Sequence, residues 1–490
     1  MTVFIIYVFK TKQIYIPISR IYNIKRGNMK KLFPKPRPLK KLIGPSFIIL
    51  ALGLGSGEII LWPYLTANYG LGIAWGALLG ITFQYFMNME IERYALIKGE
   101  SVFVGIKKMF RWAPYWFILS TFIGFGIPGI IAASAKVFSH LVGITDFRWI
   151  AIPFLILIGV ILSAGKTVYS MMEKITRTVL LIGSPFILLL AILLSTSLDW
   201  TALGRGLIGI GNGFWFLPAG ISLATFLAAF AYSGAGGNLN LTQSIYVKEK
   251  GYGMGKYSQR IAGLFSNKRH EKIRLEGYAF DVNSKKNLAN FRGWWSKISK
   301  EHLIVFWFIG LMTMAFLMLL SYSTAFKLGA NNEQGINFVI NEGMIIGNNL
   351  FPLLGTLFLA AVVVMLFQTQ LGVLDSTSRI MGENLALKRL DNKKDGKINL
   401  SKIYYGFLWA QILFGIILFL LNIYEPLTLI IIGAVINAFA MFIHLGLVNW
   451  MNYKVLPKEM QASVLRKAIM VGIFIFLGVF SIVTLWSNIF

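Results

Sequence analysis

Long apolar stretches alternate with short polar ones along the whole chain. A helix rises about 1.5 Å per residue, so about 20 apolar residues cross a hydrocarbon core about 30 Å thick. Eleven stretches of roughly this length lie at 44–68, 72–97, 114–140, 148–165, 171–196, 218–247, 302–323, 348–374, 403–422, 426–451 and 467–488. We number them spans one to eleven in chain order. The pattern predicts an all-α polytopic membrane protein.

The composition supports this interpretation. Apolar residues make up 56% of the 490 and charged residues only 14%, whereas soluble domains carry about 25% charged residues. The chain has no cysteine, which excludes disulfides, thiolate metal sites and cysteine nucleophiles. The sequence also lacks the GxxxxGK[ST] phosphate loop and the HExxH zinc motif. We therefore expect neither an enzyme nor an ATP-driven pump, and no bound cofactor.

Basic residues are distributed unevenly between the two sides of the predicted helices. The N-terminal segment and the segments at the ends of the even-numbered spans hold 43 of the 47 lysines and arginines, while the opposite loops hold three, Arg148, Arg205 and Lys327. Because positively charged loops stay in the cytoplasm, we expect a cytoplasmic-membrane protein with its N-terminus inside and its C-terminus outside. The net charge of +27 then points to the lipid bilayer as partner, with no nucleic acid and no obligate protein partner.

Two polar segments lie outside the spans. Residues 1–43 form a basic cytoplasmic segment in which Met29 is an alternative start. The loop 248–301 carries 13 basic residues, and we expect it to be a solvated anchor on anionic lipid. A regulatory or partner-binding role is the alternative for this loop.

Two spans contain residues that an ordinary transmembrane helix avoids. Span one has three glycines and a carboxylate in Gly53–Glu58, and span six has three glycines in Ser233–Gly237, followed by Asn238 and Asn240. Glycine costs a helix interior about 1 kcal/mol relative to alanine, and a carboxylate near the bilayer centre costs about 3 kcal/mol. Close helix packing could explain either glycine run alone. Interruptions at corresponding places in two halves instead predict an inverted-repeat secondary transporter with its site at the midplane.

Sequence around these interruptions is similar to a known family. The stretch LIGPSFIILALGLGSGEI, the end of span two in ERYALIKGES, and the passage from Gly165-Lys166 to Met172-Glu173-Lys174 resemble the Nramp (natural resistance-associated macrophage protein) family of divalent-metal transporters. The likeness covers most of residues 40–450. It implies the LeuT-type fold, with inverted repeats of five helices at 44–196 and 218–451, discontinuous helices one and six, and an eleventh helix at 467–488.

The signature motifs of that family are absent, so the resemblance indicates a divergent branch. Gly55-Ser56-Gly57-Glu58 stands where the family has Asp-Pro-Gly-Asn, and Gly236-Gly237-Asn238 stands where it has Met-Pro-His. The thioether that favours soft transition metals is therefore missing. The histidine that the family ties to proton movement is missing as well.

Oxygen atoms remain as candidate ligands at the two interruptions. The predicted metal- or substrate-binding residues are Gly55, Ser56, Gly57, Glu58, Ser233, Gly236, Gly237, Asn238 and Asn240. Carboxylate, amide and backbone oxygens suit Mg²⁺, Ca²⁺ or Mn²⁺. We therefore predict a secondary active transporter that moves a divalent cation inward, with protons as a candidate coupling ion. A transporter of a small polar solute such as an amino acid, or a non-transporting membrane sensor, is the alternative.

Three further polar residues inside spans are candidates for the site or for coupling. Asn437 lies in the middle of span ten, where a buried amide needs a partner. Gln368 lies in the inner half of span eight. Lys136 lies near the outer end of span three. The alternative to a pairing or coupling role is that its ammonium group extends towards water at the membrane surface.

Overall fold

The structure is a computed structural model, and the part described here covers 31–39, 42, 44–53, 55–164, 168–258, 271–272, 277–327, 335–390 and 397–489. The predictions that concern residues 1–28, Met29, Gly165 and Lys166 lie outside the described residues.

All eleven predicted spans are helical within the described part of the chain. In order, they are Pro45–Gly53 with Ser56–Leu61 and Trp62–Tyr69; Ala74–Lys98; Ala113–Phe125 with Gly129–Val142; Arg148–Ala164; Val168–Leu194; Leu223–Ala231 with Gly237–Leu241 and Thr242–Lys250; Lys285–His302 with Leu303–Ile309, Gly310–Ser321 and Tyr322–Phe326; Pro352–Leu390; Leu400–Leu420; Pro426–Val455; and Val464–Ile489. Eight of the described helical segments are long and apolar enough to cross a membrane unaided. The protein is therefore a multi-pass membrane protein.

Spans two, four and six fall outside those eight for separate reasons. Span two carries the charged residues Glu90, Glu92 and Arg93, span four has only 17 residues, and span six is broken. Spans two and six are largely buried, so burial within the protein replaces apolarity of the whole segment there. Span four is apolar and falls short only in length.

Three spans differ from the prediction, one by a bend and two by their ends. Span three bends at Gly126–Pro128, where the proline has no N–H to continue the helix. Span seven continues an amphipathic helix, Lys285–His302, whose side chains at 287, 291, 294 and 298 are buried. Span eight runs on to Leu390, well past the predicted 374, because its polar residues from Gln368 to Glu383 are also buried.

Short elements connect the spans. They are the helices Val102–Met109, Ser197–Gly206 and Asn337–Asn349, the 3₁₀ turns Leu71–Ile73, Gly253–Tyr257 and Lys458–Met460, and the strands Glu271–Lys272 and Lys397–Ile398, which pair antiparallel. Apart from this two-residue ladder and a single bridge between Ile210 and Trp215, the described chain is all-α, as predicted.

Spans one and six lie at the centre of the bundle. Span eight packs against spans three and one, and span ten packs against spans six and three. By contrast, spans five and eleven expose apolar side chains such as Leu181, Ile182, Val471 and Ile475. Large exposed apolar faces of this kind contact lipid in a membrane protein.

Candidate functional site

Span one changes helical form instead of running straight through. The α-helix Pro45–Gly53 ends at the predicted interruption, and a π-helix, Ser56–Leu61, leads into the second α-helix Trp62–Tyr69. The interruption frees the carbonyl of Ala51, which accepts a hydrogen bond from Thr369 Oγ1 of span eight at 3.1 Å. Single π turns inside helices occur often at functional sites.

Span six is fully interrupted between Ala231 and Gly237. Gly236 and Gly237 have φ of 69° and 49°, in the left-handed region that glycine adopts at little cost. Gln84 of span two fills the gap: its Nε2 donates to Ala231 O at 2.9 Å, and its Oε1 accepts from Gly236 N at 3.1 Å. One side chain therefore satisfies a donor and an acceptor that the break leaves without helical partners.

The two interruptions touch through their backbones. A Cβ placed on Gly53 would lie 2.5 Å from Gly234 O, and one placed on Gly57 would lie 1.7 Å from Tyr232 O. A Cβ on Gly55 would meet the side chain of Thr369 at 2.6 Å. The glycines of span one are therefore required for close approach to spans six and eight.

Glu58 is a buried carboxylate in the π-helix of span one. Neither of its oxygens has a hydrogen-bond partner among the described residues. A Cβ on Gly310 of span seven would lie 3.8 Å from Glu58 Oε1, and the Leu50 and Ile81 side chains border the same point. A charged carboxylate without a partner is costly in apolar surroundings. Glu58 can meet that cost by binding a cation or a proton.

The predicted amides face other neighbours. Asn238 Nδ2 donates to Ser120 Oγ and Thr121 Oγ1 of span three at 2.8 and 3.0 Å, and its Oδ1 has no partner in the described structure. Both polar atoms of Asn240 are likewise buried without partners there. These free amide atoms make the second break a place where a polar ligand could bind.

Asn437 joins the second break from span ten. Its Nδ2 donates to Gly124 O at 2.8 Å and to Tyr232 Oη at 2.9 Å, while its Oδ1 faces Gly237 and has no partner in the part of the chain described. The structure thus brings Asn437 and Gly237 together. Among the described residues, no hydrogen bond joins Glu58 to these amides.

Two candidates serve the packing around span one. Ser233 Oγ accepts from Trp62 Nε1 at 3.0 Å and donates to Ala229 O at 3.1 Å, so it ties span six to the second helix of span one. Ser56 begins the π-helix and is buried. Neither observation assigns either hydroxyl to a ligand.

The remaining candidates, Gln368 and Lys136, lie away from these contacts. Gln368 Nε2 donates to Thr176 Oγ1 of span five at 3.1 Å, and its Oε1 is buried without a partner among the described atoms. Lys136 Nζ is 3.8 Å from Glu425 Oε2, at the partly exposed start of span ten. Lys136 therefore pairs near the surface.

Sequence reasoning missed Gln84 and Thr369. Both reach across more than 140 residues of chain to the backbone at the breaks, so nothing in their local sequence identifies that role. The only available signal was a polar side chain inside an apolar span, which calls for a partner without naming it.

A buried charge cluster lies between the breaks and the side of the protein that carries 43 of the 47 lysines and arginines, which we call the basic side. Arg379 of span eight donates from Nη1 to Glu249 Oε1 at 2.6 Å and from Nε to both oxygens of Asp375 at 2.9 Å. Tyr404 Oη donates to Asp375 Oδ1 at 2.8 Å, and Tyr246 Oη to Asp375 Oδ2 at 3.2 Å. The cluster joins spans six, eight and nine by charged hydrogen bonds, the strongest class in proteins.

In the described chain, no group of three or more histidine or acidic side chains could form a preassembled metal site. A metal at the breaks would therefore rely on Glu58, amide oxygens and backbone carbonyls, with water completing its coordination. Such sparse protein ligation is compatible with Mg²⁺, which keeps several of its waters.

Comparison with known proteins gives structural likeness without sequence likeness. No protein-family model matches the chain, and no curated protein sequence matches it. A crystal structure of the Eremococcus coleocola manganese transporter, in complex with an aromatic bis-isothiourea substituted compound, has a TM-score of 0.66 at 11% identity, covering 95% of this chain and 90% of that one.

Two other transporters share the architecture at lower scores. MhsT in complex with L-phenylalanine has a TM-score of 0.51 at 14% identity, covering 90% of this chain and 98% of that one. Mhp1, a nucleobase-cation-symport-1 family transporter in a closed conformation with bromovinylhydantoin bound, has a TM-score of 0.52 at 14% identity, covering 93% of this chain and 93% of that one. Likeness at these identities concerns the fold alone.

These comparisons and the interruptions in spans one and six confirm the predicted architecture. The Nramp resemblance is supported as a likeness of fold and not as membership of the family. The protein has the LeuT-type fold, with two inverted repeats of five spans, discontinuous helices one and six, and an eleventh helix.

Proposed function

We propose that this protein is a secondary active transporter that moves a divalent cation across the cell membrane, with Glu58 as the carboxylate ligand. One observation carries the proposal. Glu58 is fully buried at the interruption of span one, and neither of its oxygens has a partner among the described residues. A carboxylate that only stabilised the fold would be paired, whereas one that meets a transported cation must be free in its absence.

The ligand chemistry favours a hard cation. Among the described residues, the other free amide acceptors near the breaks are Asn238 Oδ1, Asn240 Oδ1 and Asn437 Oδ1, and oxygen ligands suit Mg²⁺, Ca²⁺ and Mn²⁺. Gly236 leaves no room for a thioether, because a Cβ there would lie 2.5 Å from the Tyr232 ring. The manganese transporter of E. coleocola is a structural neighbour, which is consistent with a divalent cation.

A small organic solute is the second candidate. MhsT and Mhp1, whose structures hold L-phenylalanine and bromovinylhydantoin, share the fold, and the buried polar atoms of Asn240 have no partner in the described chain. We rank this candidate lower because Glu58 would repel the carboxylate of an amino acid. A membrane sensor without flux is the remaining alternative.

The charge distribution supports an orientation for the transporter. With 43 basic residues on one side against three on the other, the N-terminus would lie in the cytoplasm and the C-terminus outside. Inward movement, coupled to protons, is the direction we propose for the cation.

Flux into liposomes tests the proposal. The purified protein is reconstituted and screened for uptake of Mg²⁺, Ca²⁺, Mn²⁺ and common amino acids. Glu58→Gln should lower cation affinity about 10-fold or more, as expected for the loss of a charged contact worth about 1.5–3 kcal/mol. Glu342→Gln is the matched control, because it makes the same substitution at a similarly buried acid outside the breaks. Wild-type affinity in Glu58→Gln would remove this residue from the site, and amino acid uptake without cation uptake would favour the second candidate.

A further inference from the structure

A cavity of about 420 Å³ lies on the basic side of the protein, apart from the two interruptions. It is bounded by the end of span two, the start of span eleven and the amphipathic helix Lys285–His302. Arg93 and Arg466 line it, together with the rings of Phe86 and Trp295. No residue of this cavity belongs to the site described above.

The charges around the cavity are unbalanced. Arg93 Nε and Arg466 Nε donate to the same carboxylate, Glu90, at 2.9 and 2.5 Å. Two guanidinium groups thus share one acid, and Glu90 itself does not line the cavity. The excess positive charge faces the cavity and suits an anion such as a phosphate ester, which arginine binds through its planar set of donors.

Aromatic rings hold both guanidinium groups in place. The Cζ atom of Arg93 lies 3.8 Å from the ring centre of Trp295, and that of Arg466 lies 5.6 Å from Trp295 and 5.0 Å from Phe86. Arg93 Nη1 also donates to Met460 O at 3.1 Å. Cation–π contacts and hydrogen bonds fix these side chains before any ligand arrives, which lowers the entropy cost of binding.

The cavity is continuous with the lipid-facing surface of span eleven. Leu465 and Ile469 line it, and Leu465 is 73% exposed. Further along the same helix, the apolar side chains of Ile475, Val479 and Val483 are exposed, and they lie within about 80° of Leu465 around the helix axis. An anion that carries acyl chains could place its charge in the cavity and its chains along this stripe.

We propose that this cavity binds the phosphate headgroup of an anionic glycerophospholipid from the bilayer leaflet on the basic side. Arg466 and Arg93 hold the phosphate, and the apolar stripe of span eleven receives an acyl chain. The adjacent helix Lys285–His302 exposes Lys285, Lys286, Arg292 and Lys300, which attract an anionic surface towards the cavity.

Native mass spectrometry of the full-length protein tests this site with three probes: phosphatidylglycerol, phosphatidylcholine and inorganic phosphate. Wild type should retain phosphatidylglycerol in preference to phosphatidylcholine, and phosphatidylglycerol should raise the unfolding temperature. Arg466→Gln should weaken phosphatidylglycerol binding about 10-fold, since a charged hydrogen-bonding partner is lost. Lys458→Gln is the matched control, because it removes an exposed cation shortly before span eleven that does not line the cavity.

A second variant leaves both arginines intact. Leu465→Asp adds a negative charge to the cavity rim at an exposed position in the first turn of span eleven, where an acidic residue suits the helix dipole. The variant should fold normally and lose the preference for phosphatidylglycerol. Equal retention of the two lipids by wild type, or unchanged retention in both Arg466→Gln and Leu465→Asp, would overturn the proposal. Stabilisation by inorganic phosphate equal to that by phosphatidylglycerol would assign the cavity to a soluble anion and overturn it too.

Discussion

Gly57 and Tyr232 bring the two interrupted spans into direct contact. A methyl group on Gly57 would lie 1.7 Å from the Tyr232 carbonyl oxygen, so only glycine fits at this point of span one. Neither partner can yield easily, because one is backbone of span six and the other is backbone of span one.

Gly57→Ala should therefore disrupt the central contact of the bundle. Forcing an atom against backbone should cost at least about 3 kcal/mol of folding free energy, the upper end of typical overpacking effects. Thermal unfolding in detergent measures the loss. Gly472→Ala is the control, because its added methyl group meets no atom within 4 Å and alanine favours helix. A Gly57→Ala protein as stable as Gly472→Ala would contradict the described approach.

Gln84→Leu should impair both stability and transport. The substitution leaves Ala231 O and Gly236 N buried without partners, which should cost at least about 2 kcal/mol. It also removes the side chain that links the two ends of the break. Gln411→Leu is the control, since Gln411 bonds Thr377 and Ser378 away from the breaks. We expect lower unfolding temperatures in both, but reduced uptake per folded molecule only in Gln84→Leu. Equal uptake in the two variants would show that Gln84 serves stability alone.

Arg379→Met should destabilise the protein strongly, because Asp375 and Glu249 would remain buried as unpaired acids. Breaking one side of a buried ion pair costs about 3–5 kcal/mol. Combining Arg379→Met with Asp375→Asn and Glu249→Gln removes all three charges and should restore most of the lost stability. The unfolding temperatures of the single and triple variants provide the measurement. A triple variant no more stable than the single one would argue against charge as the basis of this cluster.

Glu342 should make stability depend on pH. It lies in the connecting helix Asn337–Asn349, where burial raises its pKa from 4.5 to about 8, partly opposed by a hydrogen bond from Thr324. Between these values the unfolded chain loses the proton while the folded protein keeps it, so stability falls as pH rises from 4.5 to 8 and then levels off. Below 4.5 both states are protonated, and Glu342 contributes no pH dependence there.

Unfolding temperatures at pH 5, 6, 7 and 8 test this. Glu342→Gln should show a shallower decline than wild type, because the side chain no longer titrates. Glu459→Gln makes the same substitution at an exposed position and should keep the wild-type decline. Identical profiles for wild type and Glu342→Gln would rule out Glu342 as the source.

The predicted orientation can be tested because the chain has no cysteine. Asn283→Cys places a thiol at an exposed position on the basic side, and Gly204→Cys places one in open space on the other side. In intact cells an impermeant maleimide should label Gly204→Cys, whereas Asn283→Cys should react only after the membrane is opened. Labelling in the reverse pattern would invert the topology.

The sequence was sufficient to predict the spans and the two interruptions for a clear physical reason. A bilayer requires long apolar helices, and residues such as Gly55 and Gly236 stand out against that background. It could not predict which way Glu58 points, because a π turn changes the rotation of every residue that follows it. It also missed the bend in span three at Pro128. Whether the predicted site residues bind a ligand stays a prediction.

Span seven and the amphipathic helix before it form one continuous helix, Lys285–Phe326, of 42 residues. At 1.5 Å per residue this is about 63 Å, roughly twice the thickness of a hydrocarbon core. Gly310, beside Glu58, and Arg292, which is exposed on the side of the basic loops, therefore lie on the same continuous helix. A tilt about its middle moves the two ends in opposite directions. We therefore expect a spectroscopic label at Arg292 to report, at the surface, displacements of the helix next to the buried carboxylate.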